Sequence, residues 1–110
     1  MDGSPFAYEG PDALHEPIVE ALARVVDPEV ALSIVDVGLV YGVTVSDDAV
    51  HVRLTMTSAA CPVADMLADQ VRDELAGVAP PGAAIRVELV WDPPWTPERM
   101  SEHARQFLQW

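Results

Sequence analysis

Apolar residues recur along the chain with two different periods, and the changes from one period to the other divide it into elements. Leu14, Ile18, Leu22 and Val25 have helical spacing. Pro17 is tolerable only in a first turn, because it lacks an amide proton and its ring crowds the preceding carbonyls. The spacing predicts a helix over about 16–26, stopped by Asp27-Pro28. Leu39, Tyr41, Val43 and Val45 then alternate with Val40, Gly42 and Thr44, the period of a half-buried strand. After Ser46-Asp47-Asp48 the alternation resumes, with Val50, Val52, Leu54 and Met56 on one face and His51, Arg53 and Thr55 on the other, so the two strands form a hairpin.

Ser58-Ala59-Ala60-Cys61-Pro62 breaks that pattern, and Val63, Leu67, Val71, Leu75 and Val78, with Met66, give a stripe one helical face wide. Pro62 suits the first position of this helix, and Ala79-Pro80-Pro81-Gly82 ends it. Ile85, Val87, Leu89 and Trp91 alternate with Arg86, Glu88 and Val90 as a third strand, which assigns Trp91 to the inward row. Beyond Asp92-Pro93-Pro94-Trp95, Thr96 is the expected cap of a last helix, with Pro97 in its first position and Met100, Ala104, Phe107 and Leu108 on its apolar face. The order is αββαβα. It suits an α/β (α+β) two-layer sandwich: a three-stranded sheet with helices over one face and a right-handed crossover between the second and third strands. Residues 1–13 hold Gly3, Pro5, Gly10 and Pro11 without apolar periodicity and read as a mobile N-terminal tail, leaving 14–110 as a single domain.

Composition narrows the function. Half of the 110 residues are apolar, enough for one core. A net charge of −12, with six arginines against 18 acidic residues, repels phosphate backbones and excludes nucleic acid as a partner. The absence of lysine removes Schiff-base chemistry and the phosphate-binding lysine of nucleotide loops. No stretch has the ~18 to 20 apolar residues that span a bilayer, and the N-terminus shows no leader pattern, so no membrane association and a cytoplasmic location are expected. With one cysteine there is neither an internal disulfide nor a self-contained four-thiolate metal site.

Cys61 is the residue with most chemical potential. It falls where a strand ends and a helix begins, at the expected N-cap, where unpaired amides and the helix dipole favour the metal-binding, nucleophilic thiolate. The same cysteine is equally readable as a small buried hydrophobe. Asp27, Glu29 and Asp36 form an acidic group after the first helix, either hard-metal ligands or turn-forming residues. His15, His51 and His103 occupy polar positions and read as solvated. Trp91 and Trp95 flank a proline-stiffened loop that either docks a partner or closes over the core. A thiol enzyme would need a base beside Cys61, and none is local; His51 is ten residues away on a polar strand face.

Taken together, Asp27-Pro28-Glu29, the run Ile34 to Val40, the run Thr55 to Pro62 and the run Trp91 to Pro97 resemble the PaaD/SufT-like metal-sulfur cluster biosynthetic family, over residues 15 to 110. The resemblance implies an iron-sulfur cluster assembly domain like the C-terminal domain of NifU-type scaffolds. It implies no turnover reaction. Cys61 matches the family's functional thiol, a transient ligand for iron or a cluster, and Asp27, Glu29, Asp36 and Thr57 match supporting positions. Trp95 is the expected client-docking residue. The implied partners are iron-sulfur client proteins and cluster assembly or carrier proteins. A homodimer is expected, because one thiolate per chain is too few for a cluster. PaaD proteins proper, which serve the phenylacetyl-CoA oxygenase, carry a cysteine-rich C-terminal extension that does not follow Trp110 here, which favours a general SufT-like role over an oxygenase-specific one. A pure protein-protein adaptor is the other alternative.

Overall fold

The computed structural model describes residues 6–28, 31–56, 64–92 and 94–108. Its centre is the expected hairpin of β4 (Val40–Val45) and β5 (Ala49–Leu54), closed where the Ser46 amide donates to the Ala49 carbonyl. The apolar row of β5 is fully buried at Val50, Val52 and Leu54. In β4 the register slips between Val40 and Gly42, so Val40, Val43 and Val45 face inward. Tyr41, expected in that row, is instead half-buried with the Arg99 guanidinium over its ring, 4.2 Å from the centroid. A bulge of this kind inserts one residue and cannot be read from alternation alone.

β6 (Ala84–Leu89) lies parallel to β5, and the intervening α3 (Ala64–Ala76) buries Leu67, Val71 and Leu75. α1 (Asp12–Ala23) packs beside α3, with Ile18, Ala21 and Leu22 in the same core and Arg24 Nε bonded to Glu74 Oε1 at 2.7 Å. α1 starts four residues earlier than expected, so Pro17 lies inside the helix rather than in its first turn.

The sheet has four strands, not three. Its order is β1-β4-β5-β6, and the added strand, β1 (Ala7–Glu9), lies parallel to β4 with Tyr8 opposite Val43. These residues fall in the stretch expected to be a mobile tail. Three residues are too few to show a period; the legible sign was Phe6 and Tyr8, two residues apart, which pack on the core from one side. Tyr8 Oη donates to the Pro11 carbonyl at 2.6 Å, tying β1 to the start of α1.

Between α1 and β4 the chain makes two further elements. β2 (Val26–Asp27) and β3 (Leu32–Ser33) form a small antiparallel pair, and α2 (Ile34–Val37) follows at once, capped by Ser33 Oγ, which accepts the Asp36 amide at 3.1 Å. Gly38 ends α2 with φ 83°, a conformation that suits glycine. A Cβ there would also collide with the Arg99 carbonyl, so the position excludes side chains on two counts.

The C-terminal segment departs from expectation as well. Thr96 makes no side-chain cap; Pro97–Arg99 forms a single 3₁₀ turn, and α4 (Glu102–Leu108) begins anew, capped by Ser101 Oγ at 3.1 Å from the Ala104 amide. Met100 and Ala104 are buried as expected, whereas Phe107 is exposed. A seven-residue helix has too few turns to bury both ends of its stripe.

Candidate functional site

The pairings bring the candidate residues to one end of the sheet. Val40, Leu54 and Leu89 stand side by side across β4, β5 and β6, so the start of β4 and the ends of β5 and β6 share an edge. The Leu39 carbonyl accepts the Thr55 amide and the Leu54 carbonyl accepts the Val90 amide, extending the row by one residue. The β2–β3 pair, extended by one rung where the Val25 carbonyl accepts the Ile34 amide, is joined to this end by α2, which leads from it into β4. Asp27, Asp36, Thr55, Trp91 and Trp95 are therefore carried by neighbouring connections. The segment 57–63, with Thr57 and Cys61, joins Met56, two residues beyond β5, to Ala64 at the start of α3. Thr57, Cys61 and Glu29, and the N-cap position expected for Cys61, lie outside the described residues.

Asp27 is 1% exposed. Burying a carboxylate in so small a domain is costly unless it is paired or hydrogen-bonded, and the tight β2–β3 turn, where the Asp27 carbonyl accepts the Ala31 amide at 2.8 Å and Ala31 takes φ 61°, holds it there. Thr55 is equally buried, and its Oγ1 has no hydrogen-bond partner among the described residues. Sequence reasoning placed Thr55 on the polar face of its strand and passed over it.

Asp36 has a different setting. Its Oδ1 accepts from Ser101 Oγ at 3.0 Å, its carbonyl accepts the Ser101 amide at 2.8 Å, and its amide donates to Ser33. Asp36 thus clasps α2 to the start of α4, using the same Ser101 that caps α4. Ser101 followed by Glu102 was the available signal for this helix start, and the more conspicuous Thr96-Pro97 obscured it.

The two tryptophans exchange the environments expected from strand parity. Regular pairing stops at Leu89, and Trp91 stands 46% exposed beside the partly exposed Leu89, rather than in the core. Trp95 is half-buried against the core, and its indole N–H donates to the Val37 carbonyl at 2.9 Å, one residue before the Gly38 turn. Met66, near the start of α3, is also exposed. This end therefore combines buried acidic and hydroxyl groups with exposed apolar side chains. His51 lies elsewhere, on the outer sheet face, 2.9 Å from Glu88 Oε1. Among the described residues no three His, Cys, Asp or Glu side chains group closely enough to hold a metal ion.

Comparison with known proteins agrees with this architecture. The family model described as iron-sulfur cluster assembly protein matches residues 15–89. The Fe-S protein maturation auxiliary factor YitW of Bacillus subtilis is 43% identical over 86% of this chain and 92% of its own length. The auxiliary factor SufT of Staphylococcus aureus is 44% identical over 74% of this chain and 92% of its own length. The crystal structure of a DUF59 domain from Bacillus anthracis superposes with a TM-score of 0.81 at 38% identity, covering 89% of this chain and 93% of that one. The mixed α/β fold and the ordered motifs along it thus have one common explanation: the chain belongs to the iron-sulfur cluster assembly protein family.

Proposed function

We propose that the protein is an accessory factor in the assembly of iron-sulfur clusters or the maturation of iron-sulfur proteins, without a turnover reaction of its own. The observation that carries this reading is the convergence of the Asp27 turn, Thr55 and the Trp91–Trp95 loop on the sheet end from which the Cys61 segment departs. Its relatives' names as maturation auxiliary factors support it. Cys61 contributes a thiolate to iron or a cluster handled as cargo, with Asp27, Glu29 and Thr57 at supporting family-motif positions and Asp36 clasping α2 to the start of α4. A cluster takes about four ligands, so the remaining thiolates come from a client, a carrier protein or a second copy. Such shared ligation is labile, as transfer requires. The setting is cytoplasmic.

Exposed Leu89, Trp91 and Met66 favour a second reading, in which this end docks clients while another protein carries the cluster and Trp95 sets the loop that does so. Cys61→Ser separates the two. Under cluster handling, anaerobically purified protein loses bound iron and sulfide and client maturation fails, with the melting curve nearly unchanged. Full complementation by the serine variant would leave docking as the function.

A further inference from the structure

β6 is an edge strand whose chemistry is self-complementary. It closes one side of the sheet, and among the described residues no strand covers it. Ala84 and Val90 donate their amides to the Asp48 and Leu54 carbonyls, so the even-numbered residues turn their backbone groups toward β5. Backbone groups alternate sides along a strand, which leaves the N–H and C=O of Ile85, Val87 and Leu89 pointing outward from the sheet. The same residues form the inward side-chain row, and burial fades along it: Val50, Val52 and Leu54 of β5 are fully buried, Ile85 and Val87 are half-buried and Leu89 is 36% exposed. On the opposite face, Arg86 and Glu88 alternate.

We propose that β6 pairs antiparallel with β6 of a second copy, about a two-fold axis at Val87, to make one continuous sheet. The outward backbone groups restrict hydrogen-bonded pairs to Ile85, Val87 and Leu89. Among symmetric registers that satisfy this, centring on Arg86 sets arginine opposite arginine, and centring on Glu88 sets glutamate opposite glutamate. Centring on Val87 sets Val87 opposite its counterpart, Ile85 opposite Leu89 and Arg86 opposite Glu88 at both non-hydrogen-bonded positions, where side chains approach most closely. Glu88 holds His51 through Oε1, and its other oxygen remains to face the arginine.

This pairing rests on strand chemistry and holds independently of the iron-sulfur role. It also bears on that role. The axis reverses the strands, so the two candidate ends point in opposite directions, and a cluster on Cys61 takes its remaining ligands from another protein rather than from the paired copy.

Sedimentation equilibrium of the full chain tests the proposal, with circular dichroism as the check on folding. A dimer is expected for the native sequence. Arg86→Glu alone and Glu88→Arg alone each weaken it by about tenfold or more, and the double exchange restores it. Val87→Pro removes an outward amide that β5 does not use and should yield folded monomer. A native chain that is monomeric throughout, a dimer indifferent to Arg86→Glu, or single-reversal losses that the double exchange fails to rescue would each overturn the proposal. An extended client peptide captured by β6 of a monomeric chain counts against it in the same way.

Discussion

At the scale of single residues, Trp91 and Trp95 show how position relative to the last ladder hydrogen bond outweighs alternation. The row Ile85, Val87, Leu89 extrapolates to an inward Trp91, but the last ladder hydrogen bond runs from the Val90 amide to the Leu54 carbonyl, and Trp91 lies beyond it, where pairing no longer enforces parity. The stability costs follow the observed environments. Trp95→Ala removes core packing and leaves the Val37 carbonyl without its indole donor, and should cost about 2 to 4 kcal/mol. Trp91→Ala should cost less than about 1 kcal/mol while weakening client capture. Denaturant titrations of the two variants, run beside client pulldowns, check both; equal losses of stability would contradict this difference. Asp36 carries a related lesson. Its place in the family motif was visible in the sequence, but its bond to Ser101 joins residues 65 positions apart, and no local pattern encodes such a contact.

At the scale of elements, the long periodic segments were legible and the short ones were not. β5, α3 and the inward row of β4 from Val43 onward follow their sequence periods because each buries a full face, which makes a one-residue slip costly. β1, β2, β3 and α2 have two to four residues each, below the length at which a period exists, and are held by tertiary contacts instead. β1 offers a direct test through Tyr8. Burial first, and the neighbouring Asp12 charge second, raise its phenol above the ordinary tyrosine value. A raised folded value means the folded state keeps the proton longer than the unfolded one. The resulting stability is complete below the ordinary phenol value near pH 10 and declines as pH rises through the folded value. An ultraviolet titration should show one tyrosine ionising later in the folded protein than in denaturant, and Tyr8→Phe should remove that late component. A late component that persists in Tyr8→Phe would contradict this assignment.

At the scale of the whole molecule, acidity dominates the surface. A net charge of −12 on 110 residues means that the compact state works against its own repulsion. Ion pairs such as Arg24–Glu74 and Arg72–Asp69 are exposed and offset little of it. Sodium chloride raised from about 0.01 M to about 0.15 M shortens the screening length from roughly 30 Å to roughly 8 Å. The melting temperature should rise by a few degrees over that range, and a flat or falling profile would mean that specific ion pairs outweigh the general repulsion.

The strand order also bears on how the chain is made. Among the described strands β1 is translated first, yet its partner β4 follows some 35 residues later, Tyr8 lying opposite Val43. At about 5 to 20 residues per second, the ribosome leaves that first strand without its neighbour for on the order of seconds, and longer while the rest of β4 clears the exit tunnel. The β4–β5 hairpin joins residues close in sequence and can close as soon as both strands emerge. Phe6, just before β1, and Tyr8 within it thus spend that interval without the core they pack on, which makes this segment a natural point of contact for a chaperone.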